Sequence, residues 1–268
     1  MKLLYAFLVF IASAATATDY QPWTKVDLEL YPRADYIYQH YDKVHGSNGS
    51  LNQSGNDHIL GVGIYGCFAA YSLELEGRLA RTRHLPCGLD HFKLTGKYQI
   101  FNDIIGDPLS LTVGGSFIAA SRDAVEEYGL FHHAKIEGEV FVSFGKERSC
   151  LSNWVSHWWA MFGIGVGERG CPWLFSQIAW EKNVCYEWQW RVFTDLLFGL
   201  GNEAIDFSEQ FEGYGLIRHR SVDVGTGIYY PTFCRGDFYL EFKQRVWAYN
   251  FPSCAQIFQI RYVYPFGL

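Results

Sequence analysis

His219, Ser221 and Asp223 come nearest in this chain to a catalytic set. On an extended strand, positions i, i+2 and i+4 share a face, so an imidazole, a hydroxyl and a carboxylate stand in a row. A base beside a hydroxyl, oriented by an acid, is the chemistry of acyl hydrolysis. The residues between them decide where the row points. Val222, Val224, Thr226, Ile228 and Tyr230 make the other face of the stretch, and if that apolar face meets lipid, the polar row faces away from it. A lipid hydrolase must present its nucleophile to lipid. A hydrogen-bonded polar cluster is therefore the favoured reading, and an acyl hydrolase using His219 and Ser221 the alternative.

The second feature is charge that recurs on one face of successive strands. Glu74, Glu76 and Arg78 alternate with Leu73, Leu75 and Leu79, and Lys93 and Lys97 alternate with Phe92, Leu94 and Tyr98. Lys135, Glu137, Glu139, Glu187, Arg191 and Asp195 follow the same rule, as do Glu241, Lys243, Arg245 and Arg261. Two readings stay open: a water-filled passage with charged walls, or an ion-pair network that ties a narrow barrel shut. In the second, Glu74 and Glu76 reach Lys93 and Lys97 on the next strand, and Glu241 or Arg245 reaches the strand of Arg261. The mixed signs argue against strong ion selectivity. His132, His133 and the isolated His40, His45, His58, His84, His91 and His157 show no metal-like spacing with carboxylates or thiols, so no metal or cofactor is expected.

Both features need strands to position them, and a period of two runs through the chain. The alternation is clearest at 91–102, where Phe92, Leu94, Gly96, Tyr98 and Ile100 oppose Lys93, Thr95, Lys97 and Gln99. Further stretches fall at 58–66, 72–83, 109–119, 134–144, 154–167, 173–182, 186–198, 216–230, 236–248 and 258–266, after a first strand that begins regularly beyond Pro32. This makes about twelve strands, an even number. With both termini at one rim, the long loops 47–56, 122–132 and 200–213 all fall at the other rim, and the short turns near 67–70, 105–108, 147–151, 184–185 and 231–235 fall beside the termini. Tyr186, Trp188, Tyr230, Phe238, Tyr264 and Phe266 gather at that terminal rim as an aromatic girdle.

Bulk properties fit strands that hide an apolar band by alternation. The chain of 268 residues is 49% hydrophobic with a mean hydropathy of -0.05, yet 18% of it is aromatic. A greasy outer face with a charged inner one, rich in interfacial aromatics, specifies an all-β, transmembrane, antiparallel up-and-down barrel whose solvent is the bilayer. The rival arrangement is a soluble secreted β-barrel with the apolar face inward, binding a small apolar ligand. A formal charge of -6 with no Lys/Arg cluster excludes a nucleic-acid partner.

Residues 1–17 read as a signal peptide, with Lys2, an apolar Leu3 to Ile11 and a small-x-small site at Ala15-Thr16-Ala17. One barrel domain, 18–268, follows. Seven cysteines are an odd number in an oxidising compartment. Cys67, Cys150, Cys185 and Cys234 fall near the terminal rim and Cys87, Cys171 and Cys254 near the other, so no bridge joins the groups across about 30 Å of hydrocarbon. Cys150 and Cys185, one hairpin apart, are the first expected pair. A leftover thiol is free to join another envelope protein.

The final stretch, with Phe258, Ile260, Tyr262, Tyr264 and Phe266 on one face, resembles the closing strand of Gram-negative outer-membrane β-barrels. The cysteine count and the phrases Gly106-Asp107-Pro108, Arg218-His219 and Tyr264-Pro265-Phe266 are similar to uncharacterised outer-membrane proteins of chlamydia-like bacteria. These resemblances imply an outer-membrane location, contact with outer-membrane lipid, and the role of a passive channel or structural envelope protein. The His219-x-Ser221 spacing resembles outer-membrane phospholipase A and lipid A deacylase. Those families place Asn after the Ser, where this chain has Val222.

Overall fold

The computed structural model describes residues 19–267 except 47, 48, 53, 151, 152, 185–187, 209 and 233–235. Twelve strands form one closed antiparallel up-and-down barrel. They are β1 (Glu29–Tyr41), β2 (Gly55–Phe68), β3 (Tyr71–Arg81), β4 (Gly88–Phe101), β5 (Ser110–Ala120), β6 (Ile136–Cys150), β7 (Asn153–Gly167), β8 (Trp173–Val184), β9 (Trp188–Gly199), β10 (Arg220–Thr232), β11 (Gly236–Tyr249) and β12 (Gln256–Val263). Each pairs with its neighbours in sequence, and β12 closes on β1 with Arg33 opposite Val263 and His40 opposite Gln256. Phe266–Gly267 adds two more residues beside the start of β1.

Side-chain exposure follows the period of two, but inverted relative to a soluble protein. Val62 is 58% exposed, Leu94 43% and Leu240 49%, whereas Glu74, Glu76, Lys93 and Arg245 between such positions are buried. Burying charge while exposing leucine is favourable only where the outer medium is apolar and the inner one polar. A soluble barrel with an apolar interior is thereby overturned. Aromatic pairs stand on the outer face near the terminal rim, as in Trp188 with Tyr230 and Phe238 with Tyr262, their ring centroids 4.4 Å and 4.9 Å apart.

Local departures from the expected strands have local causes. β1 runs straight through Pro32, which pairs with Ile64 of β2. On its other side the ladder with β12 ends at Val263, and only the Pro32 carbonyl is used, accepting from the Tyr264 N–H at 2.9 Å. Proline's missing donor therefore falls where no partner needs it. β10 begins at Arg220 rather than 216, because 214–219 leaves the wall and folds into the mouth, where Arg218 N–H donates to the Glu203 carbonyl at 2.8 Å. The expected turn 147–151 lies largely within strand, since β6 continues to Cys150.

The loops of the far rim fold inward as a cap. Ile37, Tyr41 and Ile59 from the wall meet Val44, Leu130, Ile205, Phe211, Tyr214 and Phe251 from the loops in one buried apolar cluster. Gly165 of β7 makes room beside this cap for Trp173: a Cβ there would lie 2.1 Å from the indole. The indole in turn stacks on His133 with centroids 3.7 Å apart. Gly165→Ala is expected to lower stability by about 1–3 kcal/mol through overpacking; urea titration in detergent micelles checks it, with Gly138→Ala, whose Cβ meets nothing nearer than 4.0 Å, as the neutral comparison.

Candidate functional site

The lumen is the site, and its first occupant is the chain itself. Residues 19–25 lie inside the lumen, ahead of the start of β1. Tyr20 is buried edge-on to Phe141, and its carbonyl accepts from Ser143 Oγ at 2.5 Å. The Asp19 carbonyl accepts from Lys97 Nζ at 2.7 Å. The Pro22 carbonyl accepts from Thr112 Oγ1 at 2.6 Å and Gln99 Nε2 at 3.2 Å. Trp23 Nε1 donates to Asp103 at 2.9 Å and Gln21 Nε2 to Glu181 at 3.1 Å. An irregular segment with no ladder of its own thus has its carbonyls satisfied by lumen side chains of β4, β5 and β6. Its signal in the sequence is the apolar-polar phrase Tyr20-Gln21-Pro22-Trp23, read there as nothing in particular.

Around this segment the charged residues pair, but not with the neighbours expected. Arg33 Nη1 meets Glu74 and Nη2 meets Glu76, and Arg78 Nε meets Glu76 at 2.6 Å. Glu74 and Glu76 were expected on Lys93 and Lys97. Lys93 instead meets Glu139 at 2.8 Å, and Lys97 holds the inserted segment. An arginine's fork satisfies two carboxylates at once, which a single ammonium on the adjacent strand does less well. Arg191 meets Glu241 at 3.1 Å, Lys243 meets Asp195 at 2.6 Å, and Arg261 stands over the Tyr239 ring. Glu181 accepts from Trp159 Nε1 and contacts His157 Nε2, a buried site that the strand pattern had not singled out. Lys135 was expected inward and is exposed, since it precedes β6. Glu187, Tyr186, Cys185 and Cys234 lie outside the described residues, so the Cys150 to Cys185 pair does too; Cys67, Cys87, Cys150, Cys171 and Cys254 carry free thiols.

His219, Ser221 and Asp223 are all buried and lumenal, yet they do not form a triad. Asp223 takes the Arg245 guanidinium in a two-point bond, 2.7 Å to Nε and 2.8 Å to Nη2. His219 Nδ1 lies 3.1 Å from the Ile217 carbonyl and its Nε2 3.2 Å from Nε2 of His133. The acid is spent on arginine and the base on a second imidazole, so nothing orients a proton acceptor onto Ser221. The geometry is that of a structural cluster.

Histidines converge at the capped rim. Asp90 and His91 open β4; His132 and His133 end the loop 121–135, just after Phe131 at φ 61°. His132 Nε2 meets Asp90 Oδ1 at 2.6 Å, and His91 Nδ1 meets Asp90 Oδ2 at 3.1 Å. Burial disfavours the His132 imidazolium, but the Asp90 carboxylate outweighs it and holds the group up at about 10. Burial pushes His133 down to about 3 and His219 down to about 4. A neutral buried pair loses stability as pH falls from the unfolded imidazole's ordinary value near 6.5 toward those lowered values, because only the unfolded state gains protons in that window. Proteolysis of the 200–219 loop is therefore expected to speed up between about pH 6.5 and 4, and His219→Gln should flatten that dependence.

Two cavities lie in the lumen among the described residues. One of about 200 Å³ at the terminal rim is lined by Lys25, Arg33, Arg191, Lys243 and Arg261 with Asp19, Glu181 and Glu241. Another of about 210 Å³ lies toward the cap, against His91, His132, Glu137 and Arg245. Tyr20 lines both, so the inserted segment stands between them.

No family model and no curated protein matches the chain. Among solved structures it is similar to the COG4313 outer membrane channel from Pseudomonas putida F1, at 11% identity and TM-score 0.66, covering 94% of this chain and 100% of that one. It is also similar to the NanC porin (9% identity, TM-score 0.58, 89% and 100% covered) and to the KdgM porin (11% identity, TM-score 0.50, 87% and 98% covered). At such identities the likeness is one of fold: a single chain closed into a β-barrel.

Proposed function

We propose that this chain is an outer-membrane β-barrel acting as a passive channel, whose conducting path is narrowed by residues 19–25. The observation that carries the reading is the inverted barrel: apolar outside and ion-paired inside, with two lumenal cavities that meet at Tyr20. The similar structures bear the names channel and porin, which supports the assignment of class and of membrane. Export through residues 1–17 and a partner reached through a free thiol belong to the same reading. Paired charges of both signs along the wall favour small polar solutes over a strongly selected ion. Release of small sugars and ions from proteoliposomes tests it. Efflux above that of empty liposomes is expected; refolded barrel without efflux of any solute would leave only a structural envelope role.

A further inference from the structure

The cluster Asp90, His91 and His132 has the geometry of a metal site. One ligand atom from each, all buried, lies within 4.8 Å of the others. A four-coordinate ion with bonds of about 2.0–2.2 Å sets its donors about 3.3 Å apart. The contacts of Asp90 with His132 and His91, 2.6 Å and 3.1 Å, need only a small opening to admit one. The outward nitrogens are the second observation. His132 Nδ1 lies 3.6 Å from Glu137 Oε1, and His91 Nε2 lies 3.4 Å from Glu76 Oε1. Each imidazole thus turns one nitrogen to Asp90 and the other to a further carboxylate; a bound ion displaces the proton held between His132 and Asp90 and leaves each ring's other N–H to its outer carboxylate, the arrangement that fixes tautomer and ring direction in metal-bound histidines. Those outer carboxylates are themselves held, Glu137 by the N–H groups of His133 and Ala134 and Glu76 by Arg33 and Arg78. The cavity toward the cap borders all three residues and supplies a fourth position for water or solute.

We propose that Asp90, His91 and His132 bind a divalent transition-metal ion of the zinc class. Two imidazoles and one carboxylate suit such an ion better than calcium or magnesium, which prefer oxygen donors throughout. Because Asp90 and His91 belong to β4 and His132 to the 121–135 loop, the bound ion fastens the cap to the barrel wall.

Equilibrium dialysis of the refolded full chain against Zn2+ in detergent tests this. The wild type is expected to hold one ion per chain, and Asp90→Asn and His132→Gln to bind at least ten-fold more weakly. His40→Gln, on a half-buried histidine outside the cluster, should leave binding unchanged. Equal binding by wild type and His132→Gln would overturn the site. Should the variants fail to refold, Co2+ added to the wild type decides: strong visible absorption of a four-coordinate nitrogen and oxygen site supports the proposal, and its absence overturns it.

Discussion

Arg33→Met is expected to destabilise the barrel by about 3–5 kcal/mol, because removing one partner of a buried ionic group leaves the other uncompensated. Arg33 is the hub of the inner wall, with its side chain 5% exposed and its two terminal guanidinium nitrogens on carboxylates from the next strand but one. Without it Glu74 and Glu76, two residues apart on the same face of β3, face each other with Arg78 and His91 beside Glu76. Like charges at that spacing in a closed lumen cannot both stay ionised at low cost. Neutralising the carboxylates as well, in Arg33→Met with Glu74→Gln and Glu76→Gln, should recover most of the loss. Urea titrations of the wild type, the single and the triple variant in micelles decide it; a triple variant as unstable as the single one would mean that Arg33 acts through packing alone.

Ile178→Arg on the outer face is the second large effect. Ile178 sits near the middle of β8 and is 49% exposed, while its neighbour Gln177 points inward and touches Asp195 and Arg191. An arginine on the lipid face near the midplane costs about 2–4 kcal/mol. Gln177→Arg places the same charge in the polar lumen, beside Asp195 as well as Arg191, and should cost less. Leu94→Arg, at the centre of β4, repeats the outward case. Refolding yield into liposomes, read by heat-modifiable mobility on gels, ranks them. A higher yield for Ile178→Arg than for Gln177→Arg would mean that the apolar face is not in lipid.

The barrel was legible because its solvent writes a period of two into every strand. Phe92, Leu94 and Tyr98 against Lys93, Thr95 and Lys97 state both the element and its faces, and closure follows from twelve such stretches with alternating loop lengths. What was not legible depends on contacts between distant residues. His132 reaches Asp90 across a loop, so no local spacing announces the cluster. Asp223 looked like the third member of a row with His219 and Ser221, yet the partner facing it across the ladder is Arg245 of β11. A shared face brings residues near one another; only the neighbouring strand says which bond forms. Residues 19–25 have no periodicity, since their hydrogen bonds go to side chains rather than to a ladder, and sequence patterns of strands are blind to them.

The claim that the chain is a channel narrowed from within is tested most directly by single-channel recording in planar bilayers, comparing the refolded protein with a variant lacking residues 19–25. Removing the segment that separates the two cavities should leave the folded barrel intact and give openings several-fold larger in conductance than those of the parent. Equal conductance in the two proteins, or none in either when gel mobility shows both folded, would contradict it.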